Sequence, residues 1–222
     1  MVEIILSLLL FGPLVALSLV LYFYFKKKRE DIDNQWRAEA QAKGATFWKG
    51  RNSDSGLNSI LFKGGRRSTI EHALSYSDGT VVGEASFRFK NDFLISFDFA
   101  SVPLTKYELL WLVVDSRKNN MSGRSLIDMA MVRLADKLAP LMLEGNFRDT
   151  YKVYVNPGQH IAALTALNPA SMEKLIHYFD KYDTEIADSR LYIYSRASAS
   201  AGTAEFRNNM INDIKALAAI LR

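Results

Sequence analysis

The chain opens with a long apolar run that no charged residue interrupts. Residues 4–25 carry no charge, and Leu, Val and Ile dominate this stretch of about 22 residues. At a rise of about 1.5 Å per residue, a helix of this length crosses a hydrocarbon core of about 30 Å. The sequence therefore predicts a transmembrane helix whose partner is the lipid bilayer, contacted through residues 4–25.

The end of this run predicts the orientation of the helix. Four aromatic residues close the run, and four basic residues follow at once. Basic residues beside a span stay on the cytoplasmic side. We therefore expect a single-pass protein of the inner (plasma) membrane, with the N-terminus outside and the C-terminal domain in the cytoplasm. The expected membrane-interface residues are Tyr22, Tyr24, Lys26, Lys27, Lys28 and Arg29.

A cleaved signal peptide is the alternative interpretation of the N-terminus. No basic segment precedes the apolar run, and no pair of small residues at a suitable spacing follows it. The sequence therefore favours a retained anchor.

The residues after the basic cluster predict a stalk and a domain boundary. Ile32, Trp36 and Ala40 recur at helical spacing before Gly44. From Gly44 to Gly56 the composition changes to Gly, Ser, Asn and Asp, which is typical of a linker. The predicted organisation is an anchor at 1–29, a helical stalk and linker at 30–56, and a globular domain at 57–222.

Alternating apolar and polar residues predict an antiparallel β-meander at the start of the domain. Strands are expected at 57–63, 67–76, 80–90 and 93–100, and a more buried strand at 108–114. Two-residue turns at Gly64-Gly65, Asp78-Gly79 and Asn91-Asp92 separate the first four. One face of this meander is apolar, so we expect it to pack against another layer.

Helical periodicity becomes frequent in the second half of the chain. An apolar stripe predicts a helix over 127–141, and a strand is expected at 151–155 before a short helix at 159–166. Asn168 and Pro169 are typical of a helix start. A hairpin is predicted at 184–195 around Asp188-Ser189, and an amphipathic helix at 206–221. The fold class is therefore α+β: a transmembrane helix, then a cytoplasmic domain with an antiparallel meander and packed helices.

The second half also carries a resemblance. Its residues read LEGNFRD at 143–149, YKVYV at 151–155 and ALTALNPASMEKL at 163–175. This succession resembles uncharacterised bacterial membrane-anchored proteins of unknown function. The resemblance implies a prokaryotic, membrane-associated protein, and it transfers no catalytic residue to this chain.

Composition and charge exclude several classes of function. Cysteine is absent, which excludes disulfides, thiolate zinc sites and cysteine nucleophiles. The net charge is +4, but the cluster at 26–29 accounts for most of it. Removing those four basic residues and Glu3 from totals of 28 and 24 leaves 24 basic and 23 acidic residues. A nearly neutral domain does not favour nucleic acid as a partner.

The histidines do not form a recognisable metal or catalytic motif. His72, His160 and His177 lack the spacing of known zinc motifs, so no metal site and no cofactor are expected. His72 alternates with Ile70, Leu74 and Tyr76, which predicts a buried, hydrogen-bonded side chain. His177 is expected on the outer face of its helix, and the pattern assigns no task to His160.

Two further motifs have ordinary structural explanations. Ser171 and Lys174 match the S-x-x-K pattern of serine acyltransfer enzymes, but the companion motifs are absent and Ser171 falls where helix capping explains it. The segment 122–125 could form a phosphate-binding nest, yet neither a P-loop nor a dinucleotide fingerprint surrounds it.

The sequence therefore favours a membrane-tethered, non-enzymatic cytoplasmic domain that binds a protein or the membrane surface. The alternative is a membrane-anchored hydrolase or transferase whose site forms only in the fold, from His72, Glu71, His160 and nearby carboxylates. A deep pocket with convergent ionisable groups would support the enzyme, and a shallow apolar or aromatic patch the binding domain.

Overall fold

The structure, a computed structural model, describes residues 2–51, 56–64, 66–89, 93–107, 110–121, 124–131, 137–196 and 203–221. Side chains at 2–12 and at a few positions inside the elements lie outside this description. The helices are α1 (Val2–Lys43), α2 (Ile60–Gly64), α3 (Leu126–Met131), α4 (Gly145–Thr150), α5 (His160–Ala166), α6 (Pro169–Lys174) and α7 (Ala204–Leu221). A π-helical turn at Leu175–Phe179 continues α6.

A single antiparallel sheet organises the domain. Its strands are β1 (Thr46–Arg51), β2 (Arg66–Ser75), β3 (Val81–Phe89), β4 (Phe93–Pro103), β5 (Leu112–Ser116), β8 (Ala139–Pro140), β9 (Tyr151–Val155), β10 (Asp183–Ala187) and β11 (Arg190–Arg196). Between β5 and β8 in the chain, β6 (Asn120–Met121) and β7 (Arg124–Ser125) form a separate two-stranded ribbon. The spatial order of the nine strands is β1-β2-β3-β4-β11-β10-β5-β9-β8.

Both faces of the sheet are apolar, and each is covered by helices. We call face A the side that packs against α7, α5, α6 and the last part of α1. Its core includes Trp36, Leu74, Ile193 and Ile214. Face B packs against α2 and α3, and its core includes Phe62, Phe97, Phe99, Ile127 and Tyr194. The expected apolar meander face is therefore only one of two buried faces.

Several local predictions are confirmed. The meander appears as β2, β3 and β4, and the strand at Tyr151–Val155 lies where the sequence places it. The side chain of Asn168 accepts a hydrogen bond from the Ser171 N–H, with Pro169 at the first turn. β10 and β11 form the predicted hairpin, whose turn residues Asp188 and Ser189 have φ angles of 52° and 59°. The prediction of an α+β fold is thus correct.

Other local predictions are wrong. Residues 57–63 do not form a strand, because the chain turns into α2 at Ile60. The first strand is instead β1, inside the predicted linker at 30–56, where Phe47 contributes to face A and Trp48 to face B. The strand predicted at 108–114 begins later, at Leu112.

The helix predicted over 127–141 is also wrong at its end. Only Leu126–Met131 is described as helix, and Ala139–Pro140 pairs with β9 as the edge strand β8. Residues 132–136 lie outside the described part of the chain, as do the Asn91-Asp92 turn and the centre of the 122–125 nest.

Candidate functional site

A β-bulge in β2 places two ionisable side chains on face A. The pairing of β2 with β3 shifts between Ile70 and His72, so Glu71 is an extra residue. The Ser86 hydroxyl donates to Glu71 at 2.8 Å, and His72 lies opposite Glu84. The alternation predicted for His72 is therefore corrected, because the bulge leaves Ile70 in the face B core.

His72 links the stalk to the sheet through both ring nitrogens. Its Nε2 lies 2.7 Å from Asp33 Oδ1 on α1, and its Nδ1 lies 3.3 Å from Glu84 Oε2 on β3. Lys49 on β1 donates to both oxygens of Asp33 at 2.9 Å. Two carboxylates facing the two ring nitrogens favour the imidazolium, which has an N–H on each nitrogen. The prediction of a buried, hydrogen-bonded His72 is confirmed, with 8% of the residue exposed.

Trp36 on α1 joins this group to the last helix. Its indole is stacked on the His72 ring, with centroids 5.3 Å apart and planes 14° apart. The Arg207 guanidinium of α7 lies 3.9 Å from the Trp36 ring centroid and forms an ion pair with Glu39 of α1. Lys43 donates to both Glu39 and Asn208 at 2.6 Å. We call the following six residues the stalk junction: Asp33, Trp36, Glu39, His72, Glu84 and Arg207.

The charges of the stalk junction stabilise one another. Burial opposes protonation of His72, but the hydrogen bonds with Glu84 and Asp33 outweigh it and raise its pKa. Burial also opposes ionisation of Asp33 and Glu39, yet their cationic partners lower the pKa of both carboxyls. The junction is therefore a set of paired charges that fixes α1 to the sheet.

Asp98 lies beside the stalk junction, and its hydrogen-bonding capacity is not fully used. It pairs with Glu84 across β3 and β4, and it is 3% exposed. Within the described residues its Oδ2 is buried and has no hydrogen-bond partner. Burial, and then repulsion from Glu84, raise the pKa of Asp98 to about 7. This carboxyl therefore changes its charge near neutral pH.

On face B a buried carboxylate holds three elements together. Glu185 of β10 accepts hydrogen bonds from the Ile60 N–H at 2.9 Å, Trp111 Nε1 at 2.9 Å and the Tyr194 hydroxyl at 2.6 Å. Burial raises its pKa to about 7 despite these donors. Because each donor belongs to the scaffold, this network has a structural role at the start of α2.

A second buried carboxyl on face B, that of Asp183, lies beside Asp115. Burial and the neighbouring Asp115 raise the pKa of Asp183 far above its usual range. The Ser116 N–H and the Asn119 amide donate to Asp183 at 2.9 Å, and Ser125 Oγ donates to Asp115 at 2.9 Å. Each of two adjacent carboxyl groups disfavours ionisation of the other. The surroundings of this pair tie β5 to β10.

The structure does not bring the other candidate residues into a site. His160 is exposed at the start of α5, and His177 is exposed on the π-helical turn, as the sequence predicts for His177. Ser171 is buried beside its capping bond, whereas Lys174 is exposed. The S-x-x-K match is therefore explained by helix capping.

Two described clefts lie away from the ionisable clusters. One of about 290 Å³ is lined by Asp78, Thr80 and Lys215. Another of about 340 Å³ is lined by Arg117, Arg148 and neighbouring residues of β8 and β9. Neither includes His72, Glu71 or His160. In the ranges that the structure describes, no three His, Cys, Asp or Glu side chains form a metal site.

The first part of α1 carries exposed apolar side chains. Between 44% and 64% of each of these residues is exposed: Leu14, Val15, Leu17, Leu19, Val20, Leu21, Tyr22, Phe23, Tyr24 and Phe25. Lys26, Lys27, Lys28 and Arg29 follow on the same helix and are exposed as well. When only described residues are considered, no helix satisfies the length and apolarity expected of a membrane span. The predicted span is therefore not confirmed.

Much of the junction could not be identified from the sequence. The stripe of Ile32, Trp36 and Ala40 indicates that α1 packs against something, but it does not indicate what. Asp33 and His72 are 39 positions apart, and Glu39 and Arg207 are 168 apart. Neither Asp98 nor Glu185 has a local pattern that predicts its burial.

Comparison with known proteins supports the fold only. No protein-family model matches the chain, and no curated protein matches it significantly. Among solved structures, the crystal structure of the mycobacterial trehalose monomycolate transport factor A, TtfA, is similar, with a TM-score of 0.52 at 11% sequence identity. The match covers 86% of this chain and 96% of TtfA. The two proteins therefore share a fold.

Proposed function

We propose that the chain is a membrane-tethered, non-enzymatic interaction domain that serves as an accessory factor in a membrane-associated process. The observation that carries the proposal is the continuity of α1, which runs from the exposed apolar segment into the stalk junction without a break. Apolar side chains exposed all around a helix require an apolar environment. A bilayer provides it for residues 4–25.

The proposed orientation follows from the charges after this segment. Tyr22 and Tyr24 lie at the interface, and the basic residues at 26–29 hold that end in the cytoplasm. The N-terminus is outside, and the domain faces the cytoplasm at the plasma membrane. TtfA is described as a transport factor. The shared fold supports a role of the same broad kind, with an unidentified protein as partner.

The distribution of ionisable groups favours a binding domain over an enzyme. A catalytic site needs perturbed groups that converge on a pocket. Here His72, Asp98 and Glu185 are buried within packing layers, and neither described cleft contains them. Their shifted pKa values are explained by burial and by neighbouring groups of the fold.

Reporter fusions after Arg222 test the tether and its orientation. A fluorescent protein that folds in the cytoplasm should be active there, and alkaline phosphatase should be inactive. As a control, neutral residues at 26–29 should lower the preference for this orientation. An active phosphatase fusion of the wild-type chain would contradict the proposal. So would release of the full chain from membranes by alkaline carbonate.

The need for the tether is tested separately. Replacing residues 1–25 with an unrelated membrane helix of the same orientation should preserve the cellular phenotype, and deleting them should abolish it. If the deleted form is as active as the full chain, tethering is not part of the function.

A further inference from the structure

We propose that one end of the sheet is a second membrane contact, which binds anionic lipid headgroups beside the anchor. The contact consists of Arg51, Arg88 and Leu94 at neighbouring ends of β1, β3 and β4. This inference rests on the proposed anchor in α1. The contact holds the domain against the membrane surface, in addition to its attachment through α1.

The direction of α1 relative to the sheet places this end near the membrane. Asp33 pairs with Lys49 at 2.9 Å, and the Arg37 guanidinium lies 4.9 Å from the Phe47 ring centroid. The numbering therefore runs in opposite directions along α1 and β1. Four helical residues cover about 6 Å, and two strand residues cover about 7 Å. A step of four residues along α1 therefore covers about the same distance as a step of two residues along β1.

Extending this alignment by one step brings Arg51 level with Arg29. Because β1 ends at Arg51, we follow the strand pairing from β1 through β2 to β3 to find which residue lies one step further toward the membrane. Arg51 pairs with Thr69, and Thr69 pairs with Ser86 on β3. Two residues beyond Ser86 is Arg88, which is therefore level with Phe25 on the helix. Phe25 is the last apolar residue of the proposed span, so this sheet end lies at the expected height of the headgroups.

Cross-strand pairing collects the basic residues at this height. Arg66 pairs with Arg88, and Arg88 pairs with Leu94 on β4. The side chain of Arg51 is exposed, and Leu94 is 55% exposed. An exposed leucine among arginines suits the boundary between headgroups and acyl chains.

The opposite end of the same strands carries a different set of charged residues. The β2–β3 turn contains Ser77 and Asp78, and Asp78 forms an ion pair with Lys215 of α7 at 2.7 Å. No comparable set of paired arginines occurs there among the described residues. The described basic residues near this turn, Lys215 and Arg190, are held by Asp78 and the Gly79 carbonyl oxygen, whereas Arg51 and Arg88 lie on the side of the basic cluster at 26–29. Each basic residue near an anionic surface increases binding about fivefold.

Cysteine labelling in nanodiscs tests this contact with the full chain. The protein has no cysteine, so Leu94→Cys and Ser77→Cys each create a single site at opposite ends of the strands. A water-soluble maleimide is applied in phosphatidylcholine nanodiscs, with and without phosphatidylglycerol. We expect Leu94→Cys to react about fivefold more slowly when phosphatidylglycerol is present, or slower still. Ser77→Cys should react equally in both.

Charge removal supplies the second arm. Arg51→Gln combined with Arg88→Gln should restore fast labelling of Leu94→Cys, and high salt should do the same. Because Arg51 is exposed, we expect Arg51→Gln alone to be a milder variant that keeps the thermal unfolding transition of the wild type. Equal labelling of Leu94→Cys in both lipids, in protein that resists carbonate extraction, would overturn this inference and leave the tether standing. Extraction by carbonate would reject the tether as well.

Discussion

The imidazole of His72 lies flat on the indole of Trp36, with ring planes 14° apart, while its nitrogens face Asp33 and Glu84. A residue of β2 is thereby clamped between the stalk helix and β3. The contact explains how a helix that extends far beyond the domain is held in one position by a few side chains.

Replacing His72 should reduce stability in a way that depends on pH. We expect His72→Ala to cost about 1–3 kcal/mol, because packing and two hydrogen bonds are lost. The folded pKa of His72 is raised above 6.5, so its charge-dependent stabilisation is complete below about pH 6.5 and is lost as pH rises through the folded pKa. Urea unfolding across this range measures it. The exposed His177→Ala should change little, and an equal loss in both variants would contradict the assignment.

Trp36 should contribute more than any exposed residue of the stalk. It is 2% exposed, and its ring contacts both His72 and Arg207. We expect Trp36→Ala to cost about 3–5 kcal/mol and to speed hydrogen exchange in the second half of α1. Gln35→Ala, at the exposed neighbouring position, is the control. Unchanged exchange in Trp36→Ala would mean that the stalk is held elsewhere.

The predictability of the fold differs between local and distant features. The strand at Tyr151–Val155, the Asn168 cap and the hairpin at Asp188-Ser189 depend on neighbours in sequence, so residue patterns identify them. The sequence does not predict β1, because polar and glycine residues surround this short strand. The sequence does not indicate the bulge at Glu71, because Ile70, His72 and Leu74 alternate there as in a regular strand.

The candidate site was less predictable for a physical reason. Its contacts join positions on α1, β2, β3 and α7, and each pair forms only after the sheet is assembled. The apolar stripe through Trp36 predicts that the stalk packs, and the burial of His72 follows from its strand. The ion pairs of Asp33 and Glu39 depend on partners that no local pattern indicates.

Gly83 should tolerate no side chain, because β2 passes close to it. A Cβ at this position would clash with the His72 carbonyl oxygen and lie 2.9 Å from the Ala73 Cα. We expect Gly83→Ala to cost about 1–3 kcal/mol in a thermal or urea unfolding experiment, since backbone must shift at the bulge. Gly145→Ala is the control. It has open space but a φ of +64°, so it isolates backbone strain, which should cost less. Equal losses would argue against a clash at Gly83.

Asp98 should make the protein less stable as pH rises toward neutrality. Its folded pKa of about 7 exceeds the usual carboxyl value of 3.8, so folding favours the protonated form. The stabilisation is complete below about pH 4 and is lost as pH rises through 7. His72 and Glu185 have the same sign, so the wild-type curve alone does not isolate Asp98. The difference between wild type and Asp98→Asn does.

We expect Asp98→Asn to be more stable than wild type at pH 8 by roughly 2–4 kcal/mol, and nearly equal at pH 4. The amide keeps the shape of the carboxyl group and removes its repulsion from Glu84. Urea unfolding at several pH values measures the difference. Asp149→Asn provides the control, because the Asp149 side chain is 69% exposed. A constant difference at every pH would show that Asp98 does not titrate in this range.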